Sequence, residues 1–112
     1  MKLLVVGSRA LKNIDISIYI PTDTDIIISG GASGVDSLAE KYADDNRLSK
    51  LILRPNYKRY GKAAPIRRNY EMVDLSDKII AFWDGRSRGT KATIEYAKKR
   101  QKDIEIILTD DL

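Results

Sequence analysis

The sequence contains neither cysteine nor histidine. Without cysteine there are no disulfides, thiolate metal sites or thiol nucleophiles. Without histidine there are no Ser-His triads and no imidazole bases, and most transition-metal chemistry is gone. No metal site is expected. No stretch reaches the ~18 consecutive apolar residues of a transmembrane helix, so no membrane partner is expected. The opening MKLLVVGSR lacks the long apolar region and cleavage site of a signal peptide. A cytoplasmic location is the default expectation. Acids are also missing over one long stretch. Between Asp45 and Glu71 there is none, whereas Arg47, Lys50, Arg54, Lys58, Arg59, Lys62, Arg67 and Arg68 are all basic. Such a cluster points to an anionic partner, from a nucleotide to a nucleic acid, or else to a solvated basic surface.

What is present is ordinary for a globular protein: 112 residues, 43% apolar, 32% charged and a net charge of +4. That length suits one domain, 1–112, with a real core. Residues 2–6 (KLLVV) read as a buried strand. Residues 11–20 are ambiguous, because Ile14, Ile16, Ile18 and Ile20 alternate like a strand while Leu11, Ile14 and Ile18 fit a helical face. A short helix is favoured there, since parallel strands need a crossover. A second strand spans 25–29, and a helix from Gly34 to about Arg47 carries Val35, Leu38, Ala39 and Tyr42 on one stripe, with Ser33 as its expected cap. A short strand at 50–53 follows, then a polar loop over 55–64. Pro65 suits the first position of a helix running to about Leu75. The apolar run KIIAFW at 78–83 is a fourth strand, a helix extends from the 84–90 loop to about Gln101, and 104–108 (IEIIL) is the last strand before an acidic tail at 109–112.

Strands that are almost continuously apolar, alternating with helices, specify a parallel sheet covered on both faces. The expected architecture is α/β: a Rossmann-like three-layer fold with a five-stranded parallel sheet in the order 3-2-1-4-5. In such sheets ligands lie beyond the carboxyl ends of the strands. Every polar, glycine-bearing loop here follows a strand. Right-handed crossovers therefore bring Gly7-Ser8-Arg9, Gly30-Gly31-Ala32-Ser33-Gly34 and Asp84 to Thr90 to one edge. Glycines at a helix N-terminus can offer backbone donors to a phosphate, although a tight strand-to-helix turn explains them too. Arg9 can hold phosphate or carboxylate in a bidentate contact. Arg86, Ser87 and Arg88, between Gly85 and Gly89 and ahead of Thr90, form a second candidate anion loop. Asp36 can brace the glycine loop or suit the helix dipole.

Established phosphate motifs are absent. A dinucleotide fingerprint needs GxGxxG after the first strand, and a Walker A loop needs GxxxxGK[ST]; Gly7 stands alone, and GRSRGTK at 85–91 has the ingredients in another order. Four ordered segments instead resemble the SLOG superfamily, the Rossmann-like group named for the DNA-processing (Smf/DprA) and Lonely Guy proteins. They are VVGSR at 5–9, SGGASGVDSLAEKYA at 29–43, GKAAPIRRNYEMV at 61–73 and AFWDGRSRGTKATIEYAKK at 81–99. Within that group they look most like the small YspA/YpsA-related branch. The resemblance implies a nucleotide or nucleotide-derived ligand and a homodimer, and it adds the Arg68-Asn69 pair to the candidate ligand-binding residues.

The 84–90 loop is also similar to the PGGxGTxxE loop of Lonely Guy enzymes, with departures. Asp84 stands where Pro is expected, one glycine of the pair is missing, Glu95 lies five residues after Thr90, and Thr93 occupies the position of the catalytic Glu. Three functions follow. The first is binding of a nucleotide-like ligand as sensor, carrier or sequestering protein. The second is nucleoside monophosphate phosphoribohydrolase or N-glycosidase activity, with Glu95 and Asp84 as the catalytic carboxylates. The third is single-stranded nucleic-acid binding through the basic stretch with Tyr57 and Tyr60, whose competing role is loop packing. No certain cofactor is implied. Trp83, ending an apolar strand, suits a core or interface position better than base stacking.

Overall fold

The computed structural model describes residues 1–109; positions 110–112 of the acidic tail lie outside the described residues. Five strands, β1 (Lys2–Gly7), β2 (Ile26–Ser29), β3 (Ser49–Ile52), β4 (Lys78–Trp83) and β5 (Asp103–Leu108), form one sheet in the order β3-β2-β1-β4-β5. All four pairings are parallel, with Leu4 opposite Ile28 on one side and Ile79 on the other. The helices are α1 (Val35–Asp45), a single turn α2 (Tyr57–Tyr60), α3 (Ala64–Leu75) and α4 (Arg88–Lys99). This is the expected three-layer architecture with strand order 3-2-1-4-5.

The central strands β1, β2 and β4 are apolar almost throughout because each face of the sheet has its own core, whereas the edge strands β3 and β5 carry Ser49, Lys50, Asp103 and Glu105 at exposed positions. Leu3, Val5, Ile27, Ile80 and Phe82 pack on Val35, Ala39 and Ala43 of α1. The alternate residues Leu4, Val6, Ile28, Ile79 and Ala81 pack on Met72 and Val73 of α3 and on Ile94 and Ala97 of α4. With side chains alternating across a strand, burial on both faces removes any polar phase from the sequence.

Two segments differ from expectation. Residues 11–20 are not a helix; they hold only a 3-10 turn at Ser17–Tyr19. Ile16 and Ile20 are buried against the α1 face while Ile18 is 75% exposed, and Tyr19 meets Phe82 edge-on at 5.5 Å. Two isoleucines and a tyrosine thus pin an irregular strap where a helix was expected, so neither period of the isoleucines is realised. Conversely, the loop at 55–64 is largely helical. The Asn56 side chain accepts a bond from the Arg59 N–H at 3.1 Å to start α2, and a 3-10 turn at Gly61–Ala63 leads into α3.

Met72 and Val73 lie in the core, and Tyr70 stacks on Tyr96 with ring centroids 4.1 Å apart. The Tyr96 hydroxyl in turn donates to the Asp74 carboxylate at 2.8 Å, fastening α4 to α3.

The turn from β2 into α1 is closed by Gly34, not by Ser33. Gly34 is the N-cap residue, with φ of 73°, and no side chain caps the helix. A Cβ on Gly34 would fall 2.4 Å from the Arg9 carbonyl oxygen and 2.5 Å from that of Ser8, so its bareness lets the loop after β1 settle on the start of α1. The Val35 N–H completes this contact by donating to the Ser8 carbonyl at 3.3 Å. Gly89, by contrast, has open space where a Cβ would go. Gly34→Ala is therefore expected to lose more than about 1 kcal/mol of stability, since the backbone angle and the space both reject the methyl. Gly89→Ala is expected to be neutral or to gain up to about 1 kcal/mol from helix propensity. Urea unfolding of the two variants beside the parent reads both.

Candidate functional site

The loops after β1, β2 and β4 meet at the carboxyl edge of the sheet, where they enclose a cleft of about 470 Å³. Of the residues that the sequence nominates, Gly7, Ser8 and Arg9 line it from the first loop, and Ala32 and Asp36 from the second. Arg68 and Asn69 line it from α3, and Ser87, Gly89 and Thr90 from the start of α4. A smaller cavity of about 250 Å³ adjoins it and takes in Gly30, Gly31 and Ser33. Arg9, Ala32 and Arg68 border both.

Arg68 is the centre of this arrangement. It is only 8% exposed, a rare position for an arginine. Its Nη1 donates to the Gly30 carbonyl at 2.7 Å and the Leu53 carbonyl at 3.1 Å, and its Nε donates to Asn69 Oδ1 at 2.8 Å. Nη2 donates to no group among the described residues, which leaves two N–H bonds unused. Burial lowers the Arg68 pKa from the ordinary arginine value; Asp36 opposes that shift, whereas Arg9 and Arg54 add to it. Arg54 lies near because its Nη1 donates to the Gly31 carbonyl at 2.9 Å. The site therefore gathers three guanidiniums, with Asp36 as the carboxylate lining the same cleft.

The glycine loop is wired differently from the phosphate cradle that its sequence suggests. The Gly31 N–H donates to Ser29 Oγ at 3.2 Å and the Ala32 N–H to Asp36 Oδ2 at 3.0 Å, so both are spent inside the loop. Its Gly30 and Gly31 carbonyls face guanidiniums. A Cβ on Gly30 would lie 2.6 Å from Arg68 Nη1, so this glycine is what admits the arginine. Asp36, expected to brace the loop, does so through Ala32.

Gly34, Asp84, Gly85, Arg86, Arg88 and Glu95 line neither cavity. Asp84 Oδ1 accepts from the backbone N–H groups of Arg86 at 2.8 Å and Ser87 at 2.7 Å, and these bonds hold its carboxyl below the usual pKa. It shapes the turn, with Gly85 at φ of 82° and the Trp83 indole donating to the Ser87 carbonyl at 3.1 Å. Glu95 is exposed on α4 with Lys91 at 3.9 Å. Arg86 and Arg88 are likewise exposed. Four further residues take part. Thr93, at the spacing of the Lonely Guy carboxylate, is buried in the cleft wall and donates to the Gly89 carbonyl at 3.0 Å. Met72 supplies an apolar wall, and Arg54 and Tyr57 line the smaller cavity. Arg54 was open to inference, since it follows the end of a strand by two residues, as Arg9 does.

Asp36 carries a testable consequence. It is 8% exposed, and burial raises its carboxyl pKa more than the Ala32 N–H and the Arg68 charge lower it. An acid raised in the folded state favours folding while protonated, and that contribution is lost as pH rises through its folded pKa. Asp36→Asn retains an oxygen for the Ala32 N–H without the buried charge. The variant is expected to exceed the parent in stability at neutral pH and to converge with it as pH falls below about 4. Urea unfolding over a pH series measures this.

No protein-family model matches the sequence. The "Gene 61 protein" of Mycobacterium phage D29 is 35% identical over 80 residues, which covers 66% of this chain and 64% of that protein. Among solved structures, DNA processing protein A (DprA) from Streptococcus pneumoniae superposes with a TM-score of 0.78 over 94% of this chain and 49% of its own, at 22% identity. The chain thus spans less than two thirds of the phage protein and about half of the solved neighbour. The likeness to DprA is one of fold, and it takes in the sheet order and layering described above.

Proposed function

We propose that the cleft binds a nucleotide or nucleotide-derived ligand through its phosphate, as a sensor, carrier or sequestering protein. The observation that carries this reading is the gathering of Arg9 and Arg68 at the boundary of the two cavities with Arg54 in the smaller one, its charge felt at Arg68, and with Asp36 as the lining carboxylate. Guanidiniums held together at such close quarters repel one another, and a phosphate relieves that repulsion while accepting forked hydrogen bonds. Arg68 is already oriented by three protein acceptors, so little entropy is lost when it binds. Hydrolysis is the weaker reading. Asp84 and Glu95 stand outside the cleft lining, and Asp36 is engaged by the loop backbone. Membership of the YspA/YpsA-related branch and a homodimeric state belong to the same proposal.

A second reading, single-stranded nucleic acid, is favoured by the exposed aromatic and basic groups beside the smaller cavity. Tyr57 is 59% exposed, and the Arg59 and Arg67 guanidiniums sit 5.2 and 5.4 Å from the centre of the Tyr60 ring. The neighbour DprA is named for DNA processing. Strand binding would show a steep fall in affinity with salt; a flat anisotropy titration with an oligonucleotide at low salt rejects it.

The test of the first reading is a thermal-shift and calorimetric panel of nucleotides that includes cyclic and ADP-ribose types. At least one is expected to stabilise the protein, and none doing so would overturn the reading. Arg9→Ala is expected to weaken that ligand at least tenfold, the scale of a charged hydrogen bond. The melting temperature of the free protein should hold, because Arg9 is exposed and its side chain makes no ion pair among the described residues.

A further inference from the structure

The two adjoining cavities differ in character, and the charge lies between them. The larger lobe is lined by Val6, Pro65 and Met72 among its apolar residues, none of which borders the smaller lobe, and these suit a flat ring. The smaller lobe is lined by Pro55 and the exposed Tyr57, neither of which borders the larger one. Arg9 and Arg68 belong to both lobes, and Arg54 lines the smaller one, bonded to the Gly31 carbonyl. A mononucleotide places its phosphate at one end of the molecule. With that phosphate at the guanidiniums and its base in the larger lobe, it would leave the smaller lobe empty.

We infer that the site is built for an internal phosphodiester flanked by a base on either side, with Tyr57 as the stacking face of the second base. The larger lobe is of the size that holds a small-molecule ligand, at about 300 Å³ or more, whereas the smaller falls below it and suits a single ring system. The ligand is then a dinucleotide or one step of a single strand, and the chemistry recognised is the same in both. The inference rests on the nucleotide-binding reading above, which it narrows to a ligand class.

The experiment compares adenosine 5′-monophosphate (AMP) with adenylyl-3′,5′-adenosine (ApA) by calorimetry on the intact protein. AMP carries more negative charge than ApA, so charge alone favours AMP. The expected result is the reverse, with ApA tighter by about tenfold, the size of one base–aromatic stack. In Tyr57→Ala the ratio is expected to fall to one or reverse in favour of AMP, and in Tyr57→Phe to be kept. A longer oligoadenylate binding no tighter than ApA would identify a free dinucleotide as the source, and a further large gain would identify a strand. AMP and ApA binding equally well would overturn this inference and leave nucleotide binding intact; so would a ratio unchanged in Tyr57→Ala. Binding of none of the three would overturn the inference, while the nucleotide panel above decides the reading on which it rests.

Discussion

A buried arginine is costly unless donors are met, and this molecule meets those of Arg68 Nη1 with backbone carbonyls from two different loops. One guanidinium thereby ties α3 to the end of β2, through Gly30, and to the segment after β3, through Leu53. Asn69 orients it from the next position on the same helix. The carbonyls hold the charge without neutralising it. Removing the side chain would leave the oxygens of Gly30 and Leu53 without this donor and would uncouple the glycine loop from the helix that faces it. The cleft's shape and its positive charge thus come from the same group, and the remaining features are arranged around it. Gly30 is bare so that the guanidinium can approach, Asp36 tempers its field, and Arg54 takes the neighbouring carbonyl.

Glycine-rich turns that end at a helix are commonly read as amide cradles for phosphate. Here the Gly31 and Ala32 amides point back to Ser29 and Asp36, and carbonyls face the arginines. The loop positions cations, and the cations supply the anion chemistry. The same economy appears after β4, where Asp84 consumes the Arg86 and Ser87 amides, so the Arg-Ser-Arg turn is braced by a carboxylate and its arginines remain at the surface. An anion site inferred from glycines and arginines at a helix start thus depends on whether a nearby carboxylate has already claimed the donors.

By itself the sequence determined the parallel sheet, because the central strands, buried on both faces, are apolar at nearly every position, and the polar glycine loops had to gather at one edge by the handedness of their crossovers; the strand order came with the family resemblance. It located Gly7 to Arg9, Asp36, Arg68, Asn69, Ser87 and Thr90 at that edge, since each follows a strand or opens a helix there or belongs to a recognisable pair. Tertiary structure alone decided the segments with no period of their own. Residues 11–20 take the shape of the surface that Ile16, Tyr19 and Ile20 fill, and the polar segment at 55–63 becomes helical because Asn56 caps it and α3 continues it. It also decided the direction of each donor. Whether an amide faces a ligand or a carboxylate, and whether Asp84 and Glu95 reach the cleft, depends on rotations about single bonds that residue type and spacing leave free.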